Sequence, residues 1–267
     1  RSTLSSIRKD IQSGKIDKNI KQLSINRAKE KLNKLLSFNL NSIINGTGIV
    51  LHTGLGRSPL SKKLVIESFD RIYPYSNLEF DVKNNLRGDR NSSIQNIINP
   101  LMGSQSAIVV NNCAAAVLLS LNTISENKEI IISRGQQIEI GGSFRIPEVI
   151  LKSGCIMKDV GTTNKTHPED YQNAINENSG AILYAHTSNY RVVGFTKEIK
   201  IQELSKISKK NKIPLIVDAG SGCMALFEKF NMPLEKTIKE YFKEGADVVM
   251  FSGDKLLGGP QCGIIVG

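Results

Sequence analysis

One stretch of the chain reads Val248-Val249-Met250-Phe251-Ser252-Gly253-Asp254-Lys255-Leu256-Leu257-Gly258-Gly259, an apolar run followed by a glycine-rich turn that carries one lysine. The uninterrupted apolar run is typical of a strand that is buried on both faces of a sheet. The glycines permit tight turns and let the backbone come close to a ligand. The stretch therefore predicts a buried strand over 248–251 that ends in Ser252 and presents Lys255 near its carboxyl end.

Similar apolar runs precede this stretch and alternate with helical patterns. Strands are predicted over 107–110, 129–133, 155–160, 181–185 and 214–217, with one more at 262–266. Helices are predicted over 61–73, 92–102, 113–121, 147–153, 168–176, 201–211 and 234–244. This alternation predicts an α/β fold with a mainly parallel sheet between helices. Ligands of such folds bind beyond the carboxyl ends of the strands.

Asp218 stands at the end of the strand predicted over 214–217, just before a glycine-bearing turn. A lysine amine forms an imine with an aldehyde cofactor, and a carboxylate keeps a pyridine nitrogen protonated, which makes the ring an electron sink. Lys255 and Asp218 together therefore favour pyridoxal 5′-phosphate (PLP), held by Lys255 as a Schiff base. A turn or helix-capping role for Asp218 is the alternative.

Residues 111–116, Asn-Asn-Cys-Ala-Ala-Ala, follow a predicted strand and open an alanine-rich helix. Helix N-termini present free N–H groups and a positive dipole end to anions, and small side chains let a phosphate come close. We therefore predict that Asn112, Cys113 and Ala114 bind the phosphate of PLP, assisted by the hydroxyl of Ser252. An asparagine-capped core helix is the alternative, and nothing in the pattern favours Cys113 as a catalytic thiol.

Two further residues are weaker candidates for the same site. His186 follows the strand predicted over 181–185, where it would stack on or hydrogen-bond to the cofactor; a purely structural histidine is an equal alternative. Arg57 ends the glycine-rich segment that begins at His52, and a guanidinium there can grip an oxyanion with two hydrogen bonds. A surface arginine is the alternative for Arg57.

The composition fits an ordinary globular protein: 267 residues, 40% hydrophobic and 22% charged. No apolar run approaches the roughly 20 residues that span a bilayer, and the start shows no secretory signal, so we expect a cytoplasmic protein. Four scattered cysteines and three histidines lack metal-ligand spacing, which predicts reduced thiols and no metal site. The first residue is not Met and the chain stops just after an apolar strand, so we expect a partial protein.

Positive charge is concentrated at the start of the chain. Residues 1–40 hold ten Lys or Arg and three acidic residues, so they carry +7 of the net charge of +10. One or two short basic helices are predicted there. Such a segment is suited to a polyanionic partner, because neutralising phosphates releases counterions. A solvated lysine-rich surface is the alternative.

Taken in order, the motifs resemble those of the bacterial selenocysteine synthase family, the L-seryl-tRNA(Sec) selenium transferases, from about Ile44 to Gly267. The matching segments are 45–48, 51–53, 75–80, 87–88, 111–116, 133–135, 139–147, 186–191, 218–222 and the Lys255 turn. The resemblance implies the large domain of a fold-type-I PLP-dependent transferase over residues 43–267. It also implies that the basic helical segment, residues 1–42, binds tRNA.

The reaction that this resemblance implies is the conversion of L-seryl-tRNA(Sec) to L-selenocysteinyl-tRNA(Sec). In the family, the seryl group displaces the lysine from PLP and loses water to give an aminoacrylyl intermediate, to which selenium from selenophosphate adds. Lys255 and Arg57 would be the catalytic residues, with Arg57 binding the anionic group of the selenium donor. The family also implies a homo-oligomer with active sites at dimer interfaces.

The chain departs from the family pattern in places. Cys113 stands where a third asparagine is usual, and Gly54 where asparagine is common. The family also continues into a small C-terminal domain that supplies further active-site arginines. Two other functions therefore stay open: a paralogous PLP-dependent lyase acting on a small sugar acid or amino acid, and an inactive truncated homologue that only binds tRNA or a partner subunit.

Overall fold

The structure is a computed structural model that describes residues 2–15, 18–141, 144–232 and 235–267. The chain forms two compact units, Arg1–Gly48 and Ile49–Gly267, so the division falls slightly beyond the expected boundary after residue 42. The first unit contains α1 (Ser2–Gln12) and α2 (Ile20–Leu36), the basic helices that the sequence predicts. Within it, Arg27 Nη1 and Asp10 Oδ2 form an ion pair at 2.5 Å.

The second unit alternates strands and helices. Its strands are β1 (Phe80–Asp81), β2 (Leu86–Arg87), β3 (Ala107–Val110), β4 (Glu129–Ser133), β5 (Glu139–Ile140), β6 (Phe144–Arg145), β7 (Ile156–Val160), β8 (Ser179–Ala185), β9 (Leu215–Gly220), β10 (Val248–Ser252) and β11 (Gly263–Val266). Its helices are α3 (Lys62–Ile72), α4 (Ser92–Met102), α5 (Cys113–Ser125), α6 (Ile146–Lys152), α7 (Pro168–Ala174), α8 (Ile201–Asn211) and α9 (Ile238–Lys243).

Seven strands form one sheet in the order β3-β11-β10-β9-β8-β4-β7, and β1-β2 and β5-β6 form separate antiparallel pairs. The pairings β10-β9, β9-β8, β8-β4 and β4-β7 are parallel, whereas β11 is antiparallel to both β10 and β3. A short connection can join only antiparallel neighbours, and the turn that contains Lys255 is such a connection. The prediction of an α/β fold with a mainly parallel sheet is confirmed.

Helices cover both faces of this sheet, which explains the uninterrupted apolar runs. Alternate residues of a strand point to opposite faces. Ile131 and Val217 therefore pack in a cluster with α4, α7, α8 and α9, whereas Ile130, Ile132 and Ile216 pack in another with α5 and α6. The sheet core is thus mainly apolar on both sides, and Asp218 and Ser252 lie at its carboxyl edge.

Several predicted boundaries need correction: α5 continues to Ser125 instead of ending at 121, and β8 begins at Ser179 instead of 181. The helix predicted over 234–244 starts only at Ile238, because Thr237 and Glu240 form a capping box in which each side chain accepts the other's amide; position 234 lies outside the described residues. β9 continues to Gly220 instead of ending at 217, so Asp218 lies within the strand, paired with Met250. Across the described ranges, no helix is long and apolar enough to cross a membrane.

Candidate active site

A cavity of about 170 Å³ lies at the carboxyl ends of β9 and β10, beside the N-terminus of α5. The described residues that line it are Arg57, Asn112, Cys113, Ala114, Ile140, Gly141, Phe144, Asp218, Gly220, Ser252, Asp254, Lys255 and Gln261. Seven of the eight residues predicted from the sequence are among them, and only His186 is not. The fold therefore brings together side chains from chain segments that are far apart in sequence.

Asp218 is 3% exposed, and its Oδ1 accepts two hydrogen bonds. The Gly220 amide donates at 3.0 Å, and the Cys113 thiol donates with Sγ 3.6 Å from Oδ1. Burial raises the pKa of the Asp218 carboxyl, while the Gly220 amide and the positive charge of Lys255 oppose the rise. The ionised form of Asp218 therefore depends on neighbouring donors and cations, as expected of a carboxylate that pairs with a buried cation.

Lys255 lies in the turn between β10 and β11, where backbone hydrogen bonds hold the chain on both sides of it. The Leu256 amide donates to the Ser221 carbonyl at 3.0 Å, and the Gly253 amide donates to the Cys262 carbonyl at 2.9 Å. A Cβ added at Gly253 would lie 2.4 Å from the Cys262 sulfur, so the turn requires glycine there. The backbone of Lys255 is thus fixed while its side chain lines the cavity.

The N-terminus of α5 forms the opposite wall. Asn112 caps the helix: its Oδ1 accepts the Ala115 amide at 2.9 Å, and its carbonyl accepts the Ala116 amide at 3.0 Å. Over the part of the chain that the structure describes, the amides of Cys113 and Ala114 donate to no acceptor. These two N–H groups and the positive end of the helix dipole are therefore free to bind an anion.

Arg57 reaches the cavity as a partner of Asp254, a residue for which the sequence suggested no role. Arg57 Nη1 lies 2.9 Å from Asp254 Oδ2, and the Ser58 amide donates to the Asp254 carbonyl at 3.1 Å. The other oxygen, Oδ1, is buried and accepts no hydrogen bond from the described residues. The ion pair thus holds a guanidinium beside the turn that carries Lys255.

His186 is the predicted residue that the cavity does not include. Its backbone amide donates to the Asp218 carbonyl at 2.9 Å, which places it beside β9. Its ring, however, lies with Nε2 3.5 Å from Glu235 Oε1. The structure therefore places the histidine next to the carboxylate strand with its ring directed to a different partner, and a stacking role stays a prediction.

Several lining residues carried only a weak signal in the sequence. Ile140 and Phe144 pair across the β5-β6 hairpin and supply apolar surface to the cavity, whereas Gln261 enters from the turn before β11. In the sequence, residues 139–147 were only one of the segments that match the family, and positions 142 and 143 lie outside the described residues. No local pattern marks Gln261, because the return of the chain into β11 brings it to the site.

The chemical groups that line the cavity match those of PLP. Free amides of α5 suit a phosphate, the Lys255 amine suits an aldehyde, and the buried carboxylate of Asp218 suits a protonated ring nitrogen. Apolar surface from Ile140 and Phe144 suits the faces of a flat ring. Across the described ranges, no three His, Cys, Asp or Glu side chains are grouped to hold a metal ion.

Comparison with solved structures supports the fold. The chain resembles a D-glucosaminate-6-phosphate ammonia-lyase with a TM-score of 0.68 and 19% identity, over 88% of this chain and 60% of that one. A structure described as a putative L-allo-threonine aldolase from Listeria monocytogenes matches with a TM-score of 0.53 and 19% identity, over 79% and 56%. At these identities the likeness concerns the fold alone, which is that of the fold-type-I PLP-dependent enzymes.

Comparison of sequences is more specific. The family model SelA, described as L-seryl-tRNA selenium transferase, matches residues 43–267. An L-seryl-tRNA(Sec) selenium transferase of Geobacter metallireducens is 46% identical over all of this chain and 58% of its own length. The corresponding protein of Alkaliphilus oremlandii is 50% identical over 87% of this chain and 50% of its own length. The chain thus spans somewhat more than half the length of such relatives, and it belongs to the L-seryl-tRNA selenium transferase family.

Proposed function

We propose that this chain is the cofactor-holding part of an enzyme that converts L-seryl-tRNA(Sec) to L-selenocysteinyl-tRNA(Sec), with PLP as cofactor and selenophosphate as selenium donor. The observation that carries the proposal is the convergence of Lys255, Asp218 and the N-terminus of α5 on one cavity, in a chain of this family. Bound PLP would draw electrons from the α-carbon of the seryl group, which permits loss of the hydroxyl as water and addition of selenium.

Each residue of the cavity then has a defined task. The Lys255 amine would hold the aldehyde carbon of the cofactor, and Asp218 Oδ2 would keep the proton on the ring nitrogen. The free amides of Cys113 and Ala114 and the hydroxyl of Ser252 would bind the phosphate. All of them are mounted on the sheet edge or on the first turn of α5, so little reorganisation is needed on binding.

Arg57 is suited to the anionic selenium donor. Its guanidinium is about one-third exposed and already lies in the cavity wall, where Asp254 orients it through the 2.9 Å ion pair. A planar guanidinium retains donors for an oxyanion after one of them is committed to a carboxylate. We therefore assign Arg57 to donor binding and Asp254 to its orientation.

The N-terminal unit is suited to tRNA by its charge. Most of its described lysines and arginines lie on two helices in which Ile7 is the one buried residue that the structure describes, so the charges face solvent. A cationic surface of this kind binds a phosphate backbone in a salt-dependent way. We place the enzyme in the cytoplasm, which is consistent with its four free cysteines.

A homo-oligomer with active sites at dimer interfaces is also part of the proposal. Helix α3 has no buried residue, and its apolar side chains Leu64, Phe69 and Ile72 are each more than half exposed. Exposed apolar surface of this extent is typical of a protein–protein interface. Light scattering on the wild-type protein and on Leu64→Glu measures the oligomer; an assembly unaffected by the charge would contradict the role of α3.

The decisive experiment concerns Lys255. We expect the purified chain mixed with PLP to develop the visible absorbance band of a lysine-bound pyridoxal group, and borohydride to fix the label on the peptide that contains Lys255. Lys255→Ala should abolish both signals, whereas Lys210→Ala, a lysine near the end of α8, should retain them. A label on another lysine, or a band that survives in Lys255→Ala, would refute the assignment.

A PLP-dependent lyase on a small substrate is not favoured. The likeness to the ammonia-lyase is at 19% identity, whereas the selenium transferase of Geobacter metallireducens matches the whole chain, including the basic N-terminal unit. A small substrate gives no reason for a segment with a net charge of +7. Binding of tRNA(Sec) that persists after removal of residues 1–42 would reopen the question.

A further inference from the structure

We propose that Cys113 is a positioning residue of the cofactor site, whose thiol holds Asp218 by Oδ1 and so leaves Oδ2 directed to the ring nitrogen. The inference rests on the proposed function, because it assumes that PLP occupies this cavity.

The geometry of Asp218 supports this role. Its backbone is fixed by the sheet, where it pairs with Met250, so only the side-chain torsions remain to be set. Both donors, the Gly220 amide at 3.0 Å and the Cys113 thiol at 3.6 Å, act on Oδ1. Among the described residues none donates to Oδ2. Two donors on one oxygen fix the rotation of the carboxylate and leave the second oxygen for a ligand.

The protonation state of the Cys113 thiol suits a hydrogen-bond donor better than a catalytic nucleophile. Burial, and then the negative charge of Asp218, raise the pKa of the Cys113 thiol well above its ordinary value. The sulfur therefore keeps its proton at neutral pH, and an S–H group donates, although weakly. A thiolate that attacks a substrate would need the opposite environment.

The position of Cys113 on α5 gives the contact a second consequence. Its backbone amide belongs to the free N–H groups that suit the phosphate, while its side chain contacts Asp218, 105 positions further along the chain. One residue therefore touches the groups that we assign to the two ends of the cofactor. A shift of the first turn of α5 would therefore disturb both the phosphate site and the hydrogen bond to Asp218.

The first test is PLP affinity, measured by absorbance titration of the full chain at pH 7.5 with Cys113→Ala, Cys113→Ser and Cys113→Asn. We expect the alanine variant to bind about fivefold to tenfold more weakly, since a hydrogen bond to a charged group is lost. The Cys113→Ser and Cys113→Asn variants retain a donor, so their PLP affinity should stay within about threefold of the wild-type value. Equal affinity of the alanine variant and wild type, or failure of both donors to rescue, would overturn the proposal.

A second measurement needs no cofactor. In the cofactor-free chain, Asp218→Asn removes the negative charge that helps to raise the pKa of the Cys113 thiol, so the rate of Cys113 alkylation by iodoacetamide at pH 8 should rise. Cys262, on the Lys255 turn, serves as the internal reference for local opening and should keep its rate. An unchanged Cys113 rate would contradict the contact itself.

The two measurements separate this inference from the proposed function. If wild-type chain shows no lysine-bound pyridoxal band, the proposed function fails, and the alkylation rates still decide whether Cys113 and Asp218 interact. If the band forms normally but Cys113→Ala leaves the affinity unchanged, the proposed function stands and only the role of Cys113 is lost.

Discussion

The sheet edge that carries Asp218 and Lys255 and the helix α3 belong to the same compact unit, but their surroundings differ. At the sheet edge, Asp218 and Ser252 are each 3% exposed, and backbone hydrogen bonds hold both strands in register. In α3 no residue is buried, and Leu64 and Ile72 are each 61% exposed. The first region is buried within this chain, whereas the second has the sequence of an amphipathic helix whose apolar side chains are exposed.

This contrast indicates which parts of the protein are set by the chain alone. The sheet is enclosed by its own helices, so its polar edge is positioned before any ligand arrives. The apolar side chains of α3 gain no burial here, so they contribute little to the stability of the isolated chain. Substitutions in the two regions should therefore have very different effects.

The largest expected effect on stability is in the core beneath the site. Ile131→Ala removes a fully buried side chain between the sheet and its helices and should lower the free energy of unfolding by about 3 kcal/mol. Leu64→Ala on α3 is the matched control and should cost less than about 0.5 kcal/mol. Urea denaturation of both variants measures the difference, and similar losses would contradict the contrast.

A smaller effect is expected in the turn that holds Lys255. Gly253→Ala places a methyl group against the Cys262 sulfur, so we expect a loss of about 1–3 kcal/mol through overpacking and weaker PLP binding. Gly46→Ala, where an added Cβ meets nothing within 4 Å, is the control and should change neither quantity. If the Gly253→Ala variant keeps the thermal stability and the PLP affinity of the wild-type chain, the turn is not held as tightly as described.

The smallest effect concerns the charge of Asp218 in the cofactor-free chain. Because burial raises its pKa, the folded chain binds this proton more tightly than the unfolded chain. The contribution of Asp218 to stability therefore falls as the pH rises from the ordinary carboxyl pKa through the raised value. Asp218→Asn should be more stable than wild type at pH 7, by on the order of 1 kcal/mol, and this advantage should shrink on acidification. Unfolding free energies at several pH values test this; an advantage that grows in acid would be inconsistent with the raised pKa.

Much of the fold could be predicted because its signals are local. Buried strands appear as apolar runs, and residues at or just after their carboxyl ends, such as Asp218 and Asn112, lie at the sheet edge for topological reasons. Lys255 was found by the same logic. The start of α9 was predicted too early because the capping box at Thr237 and Glu240 outweighed the apolar residues before it.

The sequence by itself determined the alternation of strands and helices, the strand ends that carry Asp218 and Lys255, and the family. Only the tertiary structure decided which side chains meet there. Arg57 and Asp254 are 197 positions apart, and Cys113 and Asp218 are 105 apart. The periodicity of apolar residues indicates which residues of a helix or strand are buried, because this repeat can be read from neighbouring residues along the chain. It does not report which distant residue faces a given buried residue, because that depends on strand order and on the return of the chain through β11.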